Sequence, residues 1–353
     1  MTRSGPGVFF ARVLLVVGVG ASLALEVVPA WGQALPRVHV FATGGTIAGR
    51  ATGGQLTGAQ IVAAVPGLED VAAIEVEEFS RIGSSAMTPD HWLRLSRRIN
   101  DLLDADPDLA GVIVMHGTDT MEETGYFLHL TVDDPRPVVM VGSMRNSSAV
   151  SADGPANLLS AARVAIHPDA ADSGVLLVLN DEIHSVRDVR KRDSNRVHTF
   201  GSEWGPLGIV DSDAIVFRHA ITTRHTGGSE VGLRNGVEGL PSVPIVADFT
   251  GNDGSVLDDQ VEKGAVGVVV QAFGGGRASP GMRRAVADAA EAGVRVVLAS
   301  RVPEGRVLSG VAAPSRGVIA AGDLGPYKAR VLLMLALLEE RTGAELQRLF
   351  DTH

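Results

Sequence analysis

Three segments of the chain carry side chains whose types and spacing suit chemistry. The first is Phe41-Ala42-Thr43-Gly44-Gly45-Thr46-Ile47-Ala48-Gly49. Its paired glycines allow a tight turn and a close approach of backbone to a ligand, with Thr46 presented just past them. Alone, the pattern equally fits a plain strand-to-helix turn. It does not match the G-x-G-x-x-G dinucleotide fingerprint, and the chain has no P-loop. The second is Val112-Ile113-Val114-Met115-His116-Gly117-Thr118-Asp119-Thr120-Met121-Glu122-Glu123-Thr124. A threonine hydroxyl is a poor nucleophile unless a base stands beside it. The adjacent Asp119 suits a substrate ammonium, and a helix N-terminus suits a substrate carboxylate. Together they describe a pocket for the zwitterionic end of an amino acid. The plainer alternative makes Thr118 or Asp119 an N-cap, with Glu122 or Glu123 closing a capping box. That accounts for one or two of these residues, not for a buried strand running straight into His-Gly-Thr-Asp-Thr. The third segment places Lys191 among Arg187, Arg190 and Arg192. By spacing it reads as a solvated face; the alternative is a base, its amine kept partly neutral by burial and neighbouring cations. The ten histidines form no H-x-x-H or H-E-x-x-H pairing, so neither a metal site nor a cofactor is expected.

Such residues need a frame. Short apolar runs rich in β-branched residues occur at 37–42, 111–115, 137–141, 174–179, 245–247, 265–270 and 294–298. Helical patterns lie between them at 59–65, 89–103, 121–130, 156–165, 282–292 and 328–340. Continuous apolar strands separated by helices predict an α/β fold with a doubly wound, mainly parallel sheet. In such folds the reactive residues lie beyond the carboxyl ends of the strands. A glycine-rich, aperiodic stretch separates two sets of elements. The expected division is a larger N-terminal domain at 35–225, a linker at 226–243 and a smaller C-terminal α/β domain at 244–353.

Composition agrees and excludes several classes. At about 150 residues per domain, 353 residues suggest two units. Hydrophobic residues at 45% and charged ones at 20% permit a buried core and argue against disorder. The 42 glycines have no three-residue period, which excludes a collagen-like chain. The lack of cysteine excludes a disulfide scaffold, thiolate metal sites and a cysteine nucleophile. A net charge of −10 leaves no electrostatic footprint for nucleic acid or anionic membrane. Arg3 and Arg12 precede an uncharged run, 13–25, too short to cross a hydrocarbon core of roughly 30 Å as a helix. Small residues follow, at Ala30 and Ala34, so 1–34 read as a secretory signal peptide rather than a retained anchor or core helix. The mature chain is then expected to be periplasmic or secreted, with no membrane contact after signal removal.

The segments Ala42-Thr43-Gly44-Gly45-Thr46-Ile47-Ala48-Gly49 and His116-Gly117-Thr118-Asp119-Thr120-Met121-Glu122-Glu123-Thr124 resemble the two signature motifs of bacterial L-asparaginases and glutaminase-asparaginases, of the exported kind. The resemblance extends to Val139-Met140-Val141-Gly142-Ser143-Met144-Arg145, Ser151-Ala152-Asp153-Gly154-Pro155-Ala156-Asn157-Leu158 and Lys328-Ala329-Arg330-Val331-Leu332-Leu333. It implies hydrolysis of the side-chain amide of asparagine, and often glutamine, to the acid and ammonia. It implies Thr46 as first candidate nucleophile and Thr118 as second, Lys191 accepting a proton through Thr118, and Asp119 binding the substrate ammonium. Ser84 would touch the α-carboxylate, with Ser85 beside it. It further implies a homotetramer whose sites a neighbouring chain completes through Phe249-Thr250-Gly251-Asn252-Asp253-Gly254. The chain departs from the pattern in three places. Ala51 stands where the lid usually carries a tyrosine, leaving Thr52 and Thr57 as the hydroxyls of that segment. Ser85 replaces a glutamine or glutamate, and 306–316 hold no acidic residue. The departures suggest a slow amidohydrolase, or an exported amino-acid-binding protein with weak turnover.

Overall fold

A computed structural model describes residues 34–353, except Thr52 and Asn235. The expected signal segment lies outside the described residues. In the N-terminal half the strands are β1 (Arg37–Ala42), β2 (Ala73–Glu78), β3 (Leu109–Met115), β4 (Val138–Val141), β5 (Val175–Leu179), β6 (Glu182–Ser185), β7 (Arg190–Lys191), β8 (Phe200–Gly201), β9 (Gly208–Val210) and β10 (Ile215–Phe217). The helices are α1 (Gly58–Ala63), α2 (Pro89–Ala105), α3 (Met121–Thr131) and α4 (Gly154–Ala165). The C-terminal half adds β11 (Ile245–Ala247), β12 (Gly267–Ala272), β13 (Arg295–Ser300) and β14 (Val318–Ala320), with α5 (Ser255–Glu262), α6 (Pro280–Glu291), α7 (Pro326–Ala336) and α8 (Gly343–Thr352).

Eight strands form one sheet in the order β10-β9-β6-β5-β4-β3-β1-β2, and β11–β14 form a second in sequential order. Pairs from β2 through β5 are parallel, whereas β6, β9 and β10 extend the sheet antiparallel. The second sheet is parallel throughout. The large sheet is doubly wound, with strands added on both sides of β1, whereas the second winds in one direction only. β3, β4 and β5 are buried almost throughout because helices cover both faces. Ile61 of α1 and Leu158 of α4 pack on one face of the large sheet. Leu95 and Ile99 of α2 and Leu128 of α3 pack on the other.

α3 is apolar nearly all round and buried. Its outer side, Tyr126 and Phe127, joins a core with Val269, Val297 and Leu332 of the C-terminal half. The two sheets are therefore tied through a shared core, and 35–353 form one unit. Between β10 and β11 the described residues hold one 3-10 turn, Thr226–Gly228.

The chain runs β1, then β2 on one side, then β3 on the other side of β1. The winding direction thus reverses at the adjacent strands β1 and β3, and ligands in open α/β sheets bind in the crevice beyond the carboxyl ends of strands at such a switch. The Thr46 and Thr118 segments are the continuations of these two strands.

Candidate active site

Backbone bonds lash the two strand ends together. The Thr43 amide and hydroxyl both donate to the Met115 carbonyl, at 3.1 and 2.9 Å. Gly44 and Gly45 then take φ of +108° and +87°, a region that disfavours side chains. A Cβ on Gly45 would stand 2.5 Å from the Gly117 Cα, and one on Gly117 would stand 2.7 Å from the Ser84 Oγ. Three segments, after β1, after β3 and at Ser84, therefore approach closely because glycine occupies two of them. Thr46 follows in the turn after β1, half-buried.

Thr118 is buried, and its Oγ1 accepts from the Lys191 Nζ at 2.9 Å. The same Nζ donates to Asp119 Oδ1 at 2.6 Å. Lys191 is only 18% exposed, so its side chain does not lie on a solvated face among arginines. The short β7–β8 ribbon turns it inward onto the β3 end, a pairing that charge spacing cannot show. Asp119 is 68% exposed and opens toward solvent. Ser84 is buried; its Oγ accepts from the Asp119 amide at 3.3 Å, and its carbonyl accepts from the Thr120 hydroxyl at 2.8 Å. Ser85 is exposed beside it. Hydrogen bonds thus join Thr118, Asp119, Lys191 and Ser84. Thr46 stands beside them through the Gly45–Gly117 approach.

The capping-box alternative fails. Thr120 is the N-cap of α3 and makes no side-chain cap bond. Glu122 instead turns to Lys328, 3.6 Å away, and Glu123 to Arg330 at 4.0 Å. Burial raises the Glu123 carboxyl. His116, one residue past β3, is fully buried with its Nδ1 2.7 Å from the Gly117 carbonyl. Burial pushes its ring down to about 4, so it stands neutral under the loop.

Several positioning residues were not singled out individually from sequence. Asp153 accepts from the Met144 and Arg145 amides at 2.9 and 2.8 Å. Asn157 donates to the Gly142 carbonyl at 3.0 Å and accepts from the Asn180 amide at 2.9 Å. These bonds hold the β4 end, whose Met144 Sδ lies 3.5 Å from the Thr118 hydroxyl. Their signal was the spacing of Asp153 and Asn157, one turn apart at the start of α4.

The lid segment is a tight turn. Gly49 bridges Gln55, and Gly53 and Gly54 have φ of +85° and +83°. The Ser147 amide and hydroxyl both donate to the Gly49 carbonyl, at 3.0 and 2.7 Å. Ala51 is exposed. Thr57 is spent: its hydroxyl accepts from the Gln60 amide at 3.1 Å as the N-cap of α1. Thr52 lies outside the described residues. Tyr126 is buried within the core and Tyr327 is 50% exposed.

Residues 37–223 match the family model described as "Asparaginase, N-terminal", and residues 242–350 the one described as "Glutaminase/Asparaginase C-terminal domain". The chain is 40% identical to "L-asparaginase 2" of Bacillus subtilis over 330 residues, covering 90% of this chain and 87% of that one. It is 35% identical to "Glutaminase-asparaginase" of Pseudomonas fluorescens over 328 residues, 90% of each. The crystal structure of a "Probable Cytoplasmic L-asparaginase" from Campylobacter jejuni superposes with a TM-score of 0.85 at 36% identity, covering 90% of this chain and all of that one.

Proposed function

Since the chain belongs to the asparaginase family, we propose that it hydrolyses the side-chain amide of L-asparagine, and of L-glutamine as a second substrate, to the acid and ammonia. The observation that carries this reading is the bonded set Thr118–Lys191–Asp119 at the β1/β3 switch, with Thr46 alongside. Asp119 takes the substrate ammonium, and the Ser84 segment faces its carboxylate. Thr46 attacks the amide carbon, and its proton goes to the departing ammonia. Backbone N–H groups near Thr118 steady the oxyanion, a contribution of roughly 3 kcal/mol per preorganised donor. Water then cleaves the ester on Thr46, its proton passing through Thr118 to Lys191 and returning to the Thr46 oxygen as the acid leaves.

A second reading, an exported amino-acid-binding protein, draws on Ala51, which supplies no phenol at the lid. Ammonia release by the purified protein, with asparagine and glutamine in parallel, separates the two. The expected result is release from asparagine at a kcat below about 10 s⁻¹, raised by Ala51→Tyr. Tight aspartate binding with no release from either amide would favour the binding protein.

The proposal extends to export after cleavage near Ala34, to the division of the mature chain at 226–243, and to a homotetramer. Exposed Phe249 and Val256, on the C-terminal half, support self-association there. Asn252 in the same stretch is buried and bonded to Asp248 at 3.1 Å, so the contribution to a neighbour rests on Phe249, Thr250, Gly251 and Asp253. N-terminal sequencing of the exported protein tests the cleavage, limited proteolysis the division, and light scattering the tetramer.

A further inference from the structure

We infer that Lys328, on α7 of the C-terminal half, is a positioning residue for Lys191, holding it in register with Thr118 from within the same chain. The inference rests on the role proposed for Lys191. Lys328 is 2% exposed. Its Nζ donates to the Arg187 carbonyl at 2.8 Å and to the Val189 carbonyl, and lies 3.6 Å from Glu122 Oε2. The other oxygen of Glu122 accepts from the Lys191 amide at 3.4 Å. One ammonium and one carboxylate therefore hold three backbone groups of the segment that delivers Lys191.

That segment has little else of its own. β7 pairs with β8 over only Arg190–Gly201 and Lys191–Phe200, and a ribbon this short is marginal unaided. Apart from the Ser185 carbonyl, which accepts from the Asp188 and Val189 amides at 3.2 and 3.0 Å, further anchors come from the C-terminal half. Arg187 donates to both oxygens of Asp323, at 3.1 and 2.9 Å, and Arg190 donates to the Asp323 carbonyl at 2.9 Å. A buried ammonium is costly unless its donors are satisfied. Here the two carbonyls and Glu122 satisfy it, and they are the groups whose position matters. Burial outweighs the pull of Glu122 and Asp188, and Arg190 and Arg187 add to it, bringing the Lys328 amine down to about 8. A methionine would fill the same core with less desolvation penalty but would release all three groups that the ammonium holds. The consequence for chemistry follows from distance: Lys191 Nζ meets Thr118 Oγ1 at 2.9 Å, and a shift of about 1 Å in such a contact costs on the order of 100-fold in rate.

The test compares Lys328→Met, Glu122→Gln and Lys191→Met by ammonia release and thermal melting. Lys328→Met and Glu122→Gln should each lower kcat by about ten- to 100-fold with KM little changed. The double variant should be no worse than the worse single one, because both act through one link. A lowered melting temperature with unchanged kcat per folded molecule would overturn the inference. If Lys328→Met does not fold, Glu122→Gln decides alone, since it keeps the packing and removes only the charge that holds the Lys328 ammonium. If Lys191→Met itself keeps kcat, the proposed role of Lys191 falls, and this inference with it. A slow Lys191→Met beside folded, fully active Lys328→Met and Glu122→Gln would remove the positioning role alone.

Discussion

The loop after β1 and the loop after β3 present one threonine each to the same crevice, and they are held in opposite ways. The β1 loop is placed by backbone: left-handed glycines, a glycine-on-glycine approach, and a lid tied down by Ser147. The β3 loop is placed by charge: Lys191 on Thr118 and Asp119, with Glu122 and Lys328 behind. The difference suits the division of labour proposed for the two threonines. A nucleophile needs room to move between free and acylated states. A proton relay needs fixed distances, and charge-assisted bonds supply them.

Removing either hydroxyl should be the most damaging change. Thr46→Ala and Thr118→Ala should each cost about 10³-fold or more in kcat, the scale of a lost nucleophile or relay. Their stabilities should differ. Thr118→Ala takes an acceptor from Lys191 and should lower the melting temperature by about 2–4 °C, whereas Thr46→Ala should leave it unchanged. Equal melting temperatures would erase the contrast between the loops.

Glycine substitutions probe the backbone-held side. Gly53→Ala meets nothing within 4 Å, so its cost is the left-handed φ alone, roughly 1–2 kcal/mol. Gly45→Ala adds a 2.5 Å collision with backbone at Gly117 and should cost more, with turnover falling as the two loops part. Denaturant melts of both variants, read against ammonia release, check the order.

Asp119→Ala should weaken aspartate binding by roughly 1.5–3 kcal/mol, the worth of a charge-assisted bond, and raise KM more than it lowers kcat. Titration calorimetry showing wild-type affinity would put the substrate ammonium elsewhere.

A pH dependence belongs to one loop alone. His116 lies under the β3 loop with its ring depressed to about 4 from 6.5 by burial; residues 43–49 of the β1 loop hold no ionisable side chain. The unfolded chain takes up a proton at His116 near 6.5 and the folded chain does not until about 4. Its contribution is therefore fully present above 6.5 and is lost as pH falls through that window. His116→Gln should flatten the fall in melting temperature between pH 6.5 and 4 relative to wild type; an unchanged slope would place the acid sensitivity in other groups.

Much of this was legible in residue order. Continuous valine-rich runs marked β1, β3, β4 and β5, because strands buried on both faces leave no polar alternation to obscure them. The hydroxyls at two of their ends, and Asp119, stood out for the same reason: polar groups directly after a buried run. β2 lacks that apolar run because it is an edge strand, with Glu75 and Glu78 on exposed positions and Glu77 half-buried. β6 escaped through Glu182 and His184, and α5 and α8 through their many charges.

Lys191, Glu122 and Lys328 mark the other limit. Beside three arginines, one lysine looks solvated; after Thr-Asp-Thr, a glutamate looks like a cap. Periodicity along the chain determines which face of an element is apolar, and so the helices, the strands and their winding. It does not determine which charges meet, since that depends on strand order and on α3 being covered by α7. Burying those surfaces together removes water from around Glu122 and Lys328, and the desolvated charges must then find each other and the 187–191 backbone. The composition of the site belongs to local sequence; its distances belong to the packing of one half of the chain against the other.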